Sequence, residues 1–194
     1  ASAKAAQLAS GDGRAMAGRM QALAKADALA LSEPALQSAL QAHGPDPLAI
    51  AAQTGVPVLV AFRRLALRPA SGFGLLHCDG SGTLTLRKPI LGFSPPRFGA
   101  ACPLWPLFTA LSRPETPVEA VIVLPGAQAA RFRTLAFCQT QYPAGFRGPQ
   151  LREAAMLLVP EAGGSEHAIE VGPTCRICPR PQCPARREAS ILTV

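Results

Sequence analysis

Phe73-Gly74-Leu75-Leu76-His77-Cys78-Asp79-Gly80-Ser81-Gly82-Thr83-Leu84-Thr85-Leu86-Arg87 is where the chain changes period. Before it, apolar residues recur at helical spacing; within it, two short extended runs flank a polar, glycine-rich tetrapeptide. Phe73 to Cys78 reads as a strand and Thr83 to Arg87 as its returning partner. Asp79-Gly80-Ser81-Gly82 reads as the hairpin turn, since Asp-Gly tolerates positive φ.

Downstream, the strand signals continue. Lys88 to Ala101 is a loop broken by Pro89, Pro95 and Pro96. Leu104 to Leu111 is a short helix, with Pro106 in its first turn. Val118 to Leu124 is a β-branched strand, Pro125-Gly126 begins a turn, and Arg131 to Gln139 alternates as a second strand. Leu151 to Val159 fits either a strand or a helix, because its apolar run has no clear period. Ile169-Glu170-Val171 is a strand stub leading into a cysteine-rich tail. Strand pairs with few helices make this an α+β chain with a mainly antiparallel sheet, an arrangement shared by PAS and GAF sensor domains, followed by a Cys-rich C-terminal loop.

Upstream, residues 1–70 form a helical segment and 71–194 the α+β domain. Ala15 to Leu31 and Glu33 to Ala42 are the first two helices, the second capped by Ser32 with Pro34 in its first turn. His43-Gly44-Pro45-Asp46-Pro47 breaks them, with His43 in an exposed turn. Pro47 to Leu65 has the outline of a helix-turn-helix, Gly55 in the turn. Its second helix opens Val56-Pro57-Val58-Leu59-Val60, too apolar for a DNA groove, so packing against the following domain is expected.

The whole chain has 194 residues, 48% of them hydrophobic, with aromatics at 5% and a net charge of +7. Nearly all its cations are Arg, whose planar fork suits phosphates and carboxylates, so an anionic partner competes with a plain basic surface. No apolar run reaches the length of a membrane helix and no signal peptide opens the chain, so the expectation is a cytoplasmic protein without membrane contact. It starts with Ala rather than Met, which fits a fragment. Ala15 to Ala42 could pair with a second copy as a homodimer or cover its own domain.

The tail reads Gly172-Pro173-Thr174-Cys175-Arg176-Ile177-Cys178-Pro179-Arg180-Pro181-Gln182-Cys183-Pro184. In C-x2-C-x4-C, two thiolates wrap one turn toward a common centre and the third closes a face. A fourth ligand must come from elsewhere, and Cys102, in a loop before a helix whose positive end favours a thiolate, is the candidate. Arg176, Arg180, Arg186 and Arg187 would offset the charge of such a centre, or else contact nucleic acid directly. Three clustered cysteines plus a remote one suit a [4Fe-4S] cluster somewhat better than zinc, which would show two C-x2-C knuckles. His167 is an alternative ligand. Cys78 and Cys138, on predicted strands, are expected as buried small hydrophobes.

No catalytic motif is present: no HExxH helix, no G-x-S-x-G elbow and no phosphate loop. His77 and Cys78 are adjacent on a strand and point to opposite faces. No enzyme activity is expected.

Two stretches carry a resemblance. Phe93-Ser94-Pro95-Pro96-Arg97-Phe98-Gly99-Ala100-Ala101-Cys102-Pro103-Leu104-Trp105 and the run from Val171 to Arg186 resemble motifs of the C-terminal domain of the short-chain fatty acyl-CoA regulators. These are bacterial transcription factors with an XRE-type helix-turn-helix and a central region similar to ImmA/IrrE peptidases. Leu48 to Pro69 resembles the end of that central region. The resemblance implies a sensor domain holding a four-cysteine iron–sulfur or zinc site at Cys102, Cys175, Cys178 and Cys183. It also implies that short-chain acyl-CoA is sensed and that DNA is read by a region absent from this chain. For an acyl-CoA, Arg97, Arg131 and Arg133 are the phosphate-binding candidates. The competing reading is a metal-stabilised structural or protein-interaction module without ligand sensing.

Overall fold

Four helices precede the sheet in the computed structural model, which describes residues 10–125, 130–163 and 167–192. α1 (Gly11–Ala30) starts earlier than its apolar pattern indicates, because the Ser10 hydroxyl accepts the Gly13 N–H at 3.0 Å. α2 (Glu33–His43) follows its Ser32 cap, and His43 is its exposed last residue rather than part of a turn. α3 (Pro47–Thr54) is capped by Asp46, whose Oδ1 accepts the N–H groups of Leu48 and Ala49 at 2.9 and 3.1 Å. Gly55 ends it in the left-handed region, and α4 (Val58–Leu67) starts directly after Pro57. No single helix among the described residues is long and apolar enough to cross a membrane.

The chain divides into two units, residues 1–65 and 66–194. In the first, Leu31, Leu36, Ile50, Leu59 and Phe62 are buried. So is an ion pair: Arg63 Nε and Nη2 donate to Asp27 Oδ2 and Oδ1 at 2.7 and 2.8 Å. Arg64 donates to the Leu31 carbonyl and to Glu33 Oε2, both at 2.9 Å, clamping the α1–α2 junction.

The second unit is a six-stranded sheet, ordered β2-β1-β5-β4-β3-β6. Its strands are β1 (Gly74–Asp79), β2 (Leu84–Lys88), β3 (Val118–Val123), β4 (Arg131–Gln141), β5 (Leu151–Pro160) and β6 (Ile169–Glu170). The first five pair antiparallel; β6 alone runs parallel, to β3. The hairpin stands where the sequence places it, but the positive φ falls on Gly82 (80°) rather than on Asp79-Gly80. The Asp79 carboxylate instead accepts the Ser81 hydroxyl, the Ser81 N–H and the Thr83 N–H, which holds its pKa below the usual value. The turn expected at Pro125-Gly126 runs into residues 126–129, outside the described residues.

β5 settles the ambiguity of 151–159 in favour of a strand. It is central, and Ala154, Ala155, Met156, Leu157 and Leu158 are all buried. Burial on both faces removes the alternation by which a strand is recognised. One face carries Leu76, Cys78, Phe132, Ala136, Cys138, Ala154, Met156 and Leu158 in a single apolar cluster. α5 (Pro106–Ser112) packs on that face, which also receives Phe93 and Trp105. α5 starts two residues later than the sequence reading, at its proline. The Phe93 ring lies 5.2 Å from Trp105 at a tilt of 48° and meets Phe132 edge-on at 6.0 Å, so the three rings anchor the proline-rich loop.

Cys78 and Cys138 are free and fully buried, both opposite Ala154 in register. His77, on the other face, has its Nδ1 2.8 Å from Glu153 Oε1.

Candidate metal centre

β6 brings the cysteine tail to the sheet edge. Ile169 and Glu170 pair with Ile122 and Val123, and the Val171 N–H donates to the Val123 carbonyl at 2.9 Å. Two residues later the tail meets the loop before α5. The Cys102 N–H donates to the Pro173 carbonyl at 3.2 Å, and the buried Trp105 Nε1–H donates to the Gly172 carbonyl at 2.9 Å. Cys102 is thereby fastened beside a segment some seventy residues away in sequence.

Cys175–Ile177 forms one 3-10 turn, with the Cys178 N–H on the Cys175 carbonyl at 3.3 Å. That turn sets Cys175 and Cys178 on one side, as the C-x2-C spacing requires. Cys102, Cys175, Cys178 and Cys183 all line a single narrow cavity of about 10 Å³. That volume corresponds to about one water-sized sphere. Cys102, Cys175 and Cys178 are buried, and Cys183 is partly exposed. Among the described residues, no three or more His, Cys, Asp or Glu side chains stand as a ready-made ligand set. The cysteines therefore share a cavity without yet converging on a point.

The surroundings fit a thiolate centre. Gly172 lies against Cys178: a Cβ there would stand 2.6 Å from Cys178 Sγ and 2.9 Å from its Cβ, so only glycine leaves room for the sulfur. Arg186 donates to the carbonyls of Cys175 and Cys178 at 3.2 and 3.4 Å and to that of Arg180. Arg180 lines the same cavity, and its Nε stands 3.3 Å from Glu170 Oε2. Arg187 donates to the Ala101 carbonyl. Burial raises the Cys175 thiol pKa, but hydrogen bonds from the backbone and guanidinium of Arg187, its charge, and the Glu188 N–H outweigh it, leaving a net value below the ordinary thiol. Cys102 goes the other way. Burial pushes its thiol up, and hydrogen bonds from the Leu104 and Gly172 N–H groups only partly offset this. α5 begins at Pro106, four residues after Cys102 and later than the sequence places it.

Other predicted residues lie elsewhere. His167 is exposed and does not line this cavity, and Arg176 is exposed. Arg133 pairs with Glu119 at 2.6 Å.

A larger cavity, of about 490 Å³, sits on the other side of the 101–103 segment. Ser81, Thr83, Arg87 and Arg187 supply its polar lining, and Leu84, Pro103, Phe108 and Leu111 its apolar lining. Its guanidiniums come from Arg87 and Arg187, not from Arg97, Arg131 or Arg133. Sequence reasoning missed Arg87 because a lone Arg on a hairpin strand carries no signal of its own.

Residues 68–193 match the family model described as "Short-chain fatty acyl coenzyme A regulator, C-terminal". The chain belongs to the short-chain fatty acyl-CoA regulator family. That match covers more than half of the chain and includes both cysteine motifs. Among solved structures, a Mycobacterium tuberculosis transcriptional regulator is similar, with a TM-score of 0.81 and 23% identity. The alignment covers 98% of this chain and 62% of that one, so the chain spans less than two thirds of that protein's length. The likeness establishes a shared fold. No curated protein matches the chain in sequence.

Proposed function

We propose that this chain is the sensing part of a short-chain fatty acyl-CoA regulator, with a cysteine-ligated centre at Cys102, Cys175, Cys178 and Cys183 and a separate pocket for a short-chain acyl-CoA. The observation that carries the first half is the meeting of four cysteines from two distant segments on one cavity. Cation donors and backbone N–H groups face their sulfurs or carbonyls, as a negatively charged tetrathiolate requires. Bound there, a [4Fe-4S] cluster would supply redox sensitivity, and zinc would supply only structure. The larger cavity supports the second half. Its volume falls in the ordinary range for small-molecule sites, and it combines two guanidiniums for phosphate with Phe108 and Leu111 for an acyl chain. Six free cysteines accord with a reducing, cytoplasmic location. An antiparallel five-strand core with its helix on one face supports the likeness to PAS and GAF sensors.

DNA would be read by a part of the full-length protein outside this chain, and we assign the chain no catalytic role. Anaerobic purification with iron, sulfide and zinc analysis tests the centre. Iron and sulfide in equal amounts with a brown colour would assign a cluster, and one zinc per chain would assign a structural ion. Protein that keeps neither, even after reconstitution, would remove the metal-centre reading. Thermal stabilisation by propionyl-CoA but not by free CoA tests the pocket.

A further inference from the structure

The two cavities share a wall. Pro103 lines both, Ala101 lines the larger one, and Cys102 between them lines the smaller. On the tail side the wall is the adjacent pair Arg186 and Arg187. Arg186 lines the cysteine cavity and binds the Cys175 and Cys178 carbonyls. Arg187 lines the larger cavity, reaches back to the Ala101 carbonyl, and hydrogen-bonds Cys175. One guanidinium thus serves a pocket suited to an anion and the segment that presents a cysteine.

We infer that Arg187 couples the two sites antagonistically: an anionic ligand in the larger cavity and a metal centre at the cysteines compete for its guanidinium, so that each weakens the binding of the other. This rests on the reading that both sites are occupied in the working protein. An isolated Arg fork has a limited set of donors, and a phosphate oxygen that claims them leaves Cys175 and the Ala101 carbonyl less well held. Conversely, a metal with four thiolates is net negative and holds the Arg187 guanidinium toward the cysteines, which leaves it less available to an anion in the larger cavity. Arg87 lines the same pocket from β2 and donates to the Pro96 carbonyl at 3.1 Å, away from the cysteine wall. It is the internal control, because it can serve the ligand without serving the cysteines.

Coupling between binding sites is reciprocal, which makes the inference measurable as a closed cycle. Zinc is titrated into reduced, metal-free protein under anaerobic conditions, with and without saturating propionyl-CoA. Propionyl-CoA is then titrated into the metal-free and zinc-loaded forms. The expected result is a weakening of about fivefold or more, equal in both directions, typical of modest allosteric coupling. In Arg187→Met the ratio should fall to one, together with a loss of propionyl-CoA affinity. In Arg87→Met the affinity should also fall while the ratio stays at its wild-type value, a difference that a merely structural role for Arg187 would not produce. If both ligands bind but neither shifts the other, or each strengthens the other, the coupling is wrong and the proposed function stands. A shift that persists in Arg187→Met likewise removes Arg187 as its carrier. If propionyl-CoA does not bind the wild-type protein, or the protein holds neither zinc nor a reconstituted cluster, the proposed function fails and takes the coupling with it.

Discussion

Gly172 shows how narrow the tolerance around the cysteines is. Its φ lies outside the left-handed region, so the backbone itself would accept alanine; the obstacle is Cys178 Sγ, 2.6 Å from where the Cβ would stand. Gly172→Ala is expected to cost about 1–3 kcal/mol of stability, as overpacking in a filled site usually does. It should also lower the zinc or iron content of the purified protein, read by denaturant midpoint and metal analysis together. Cys78 is a second informative position. Burial, then the neighbouring Asp79 and Cys138, push its thiol from 9.0 up to about 12. The folded state therefore holds the proton more tightly than the unfolded chain does. That preference costs nothing below pH 9, where both states are protonated, and stability falls as pH rises from about 9 toward about 12. Urea midpoints of the wild type should drop more steeply over this range than those of Cys78→Ala. Equal slopes would show that Cys78 ionises normally in the fold.

At the level of helices and strands, the buried Asp27–Arg63 pair joins α1 to α4 within the helical unit. α1 is otherwise largely exposed, and Asp27 is its sole buried residue. Asp27→Ala leaves a buried guanidinium without its carboxylate and should destabilise by about 3–5 kcal/mol. Replacing both partners, as Asp27→Leu with Arg63→Met, should recover most of that loss, because a buried pair contributes less than its broken half costs. Denaturation of the two single variants and the double variant closes the cycle. A double variant as unstable as Asp27→Ala would contradict this account.

For the molecule as a whole, the tail from Val171 onward has no strand and only one short 3-10 turn among its described residues. It is held by carbonyl contacts from Arg186 and Arg187, by Trp105, and by the Ile191 N–H on the Arg176 carbonyl at 2.9 Å. A bound centre would add folding free energy that such a segment lacks. Removing it by chelation should therefore speed amide hydrogen exchange in residues 100–105 and 171–191, with little change in β4 and β5. Uniform acceleration across the sheet would mean that the centre supports the entire domain instead.

Much of this architecture was legible from local chemistry. The hairpin at Asp79 to Gly82, the cap at Ser32, and the turn at Cys175 to Cys178 follow from interactions within about four residues, which adjacent residue types specify. The long cysteine motifs were enough to place the chain in its family. Other features depend on which segments meet in space. β5 reads as neither strand nor helix until its neighbours on both sides bury it. The positive φ passes to Gly82 because Asp79 spends its carboxylate on the turn. Cys102 joins the tail cysteines through a backbone contact with Pro173 and the Trp105 hydrogen bond to Gly172. Arg187 serves two cavities only because the tail folds back across Ala101. Such contacts join residues up to 86 positions apart. No local propensity encodes them, and packing of the whole sheet domain brings them about.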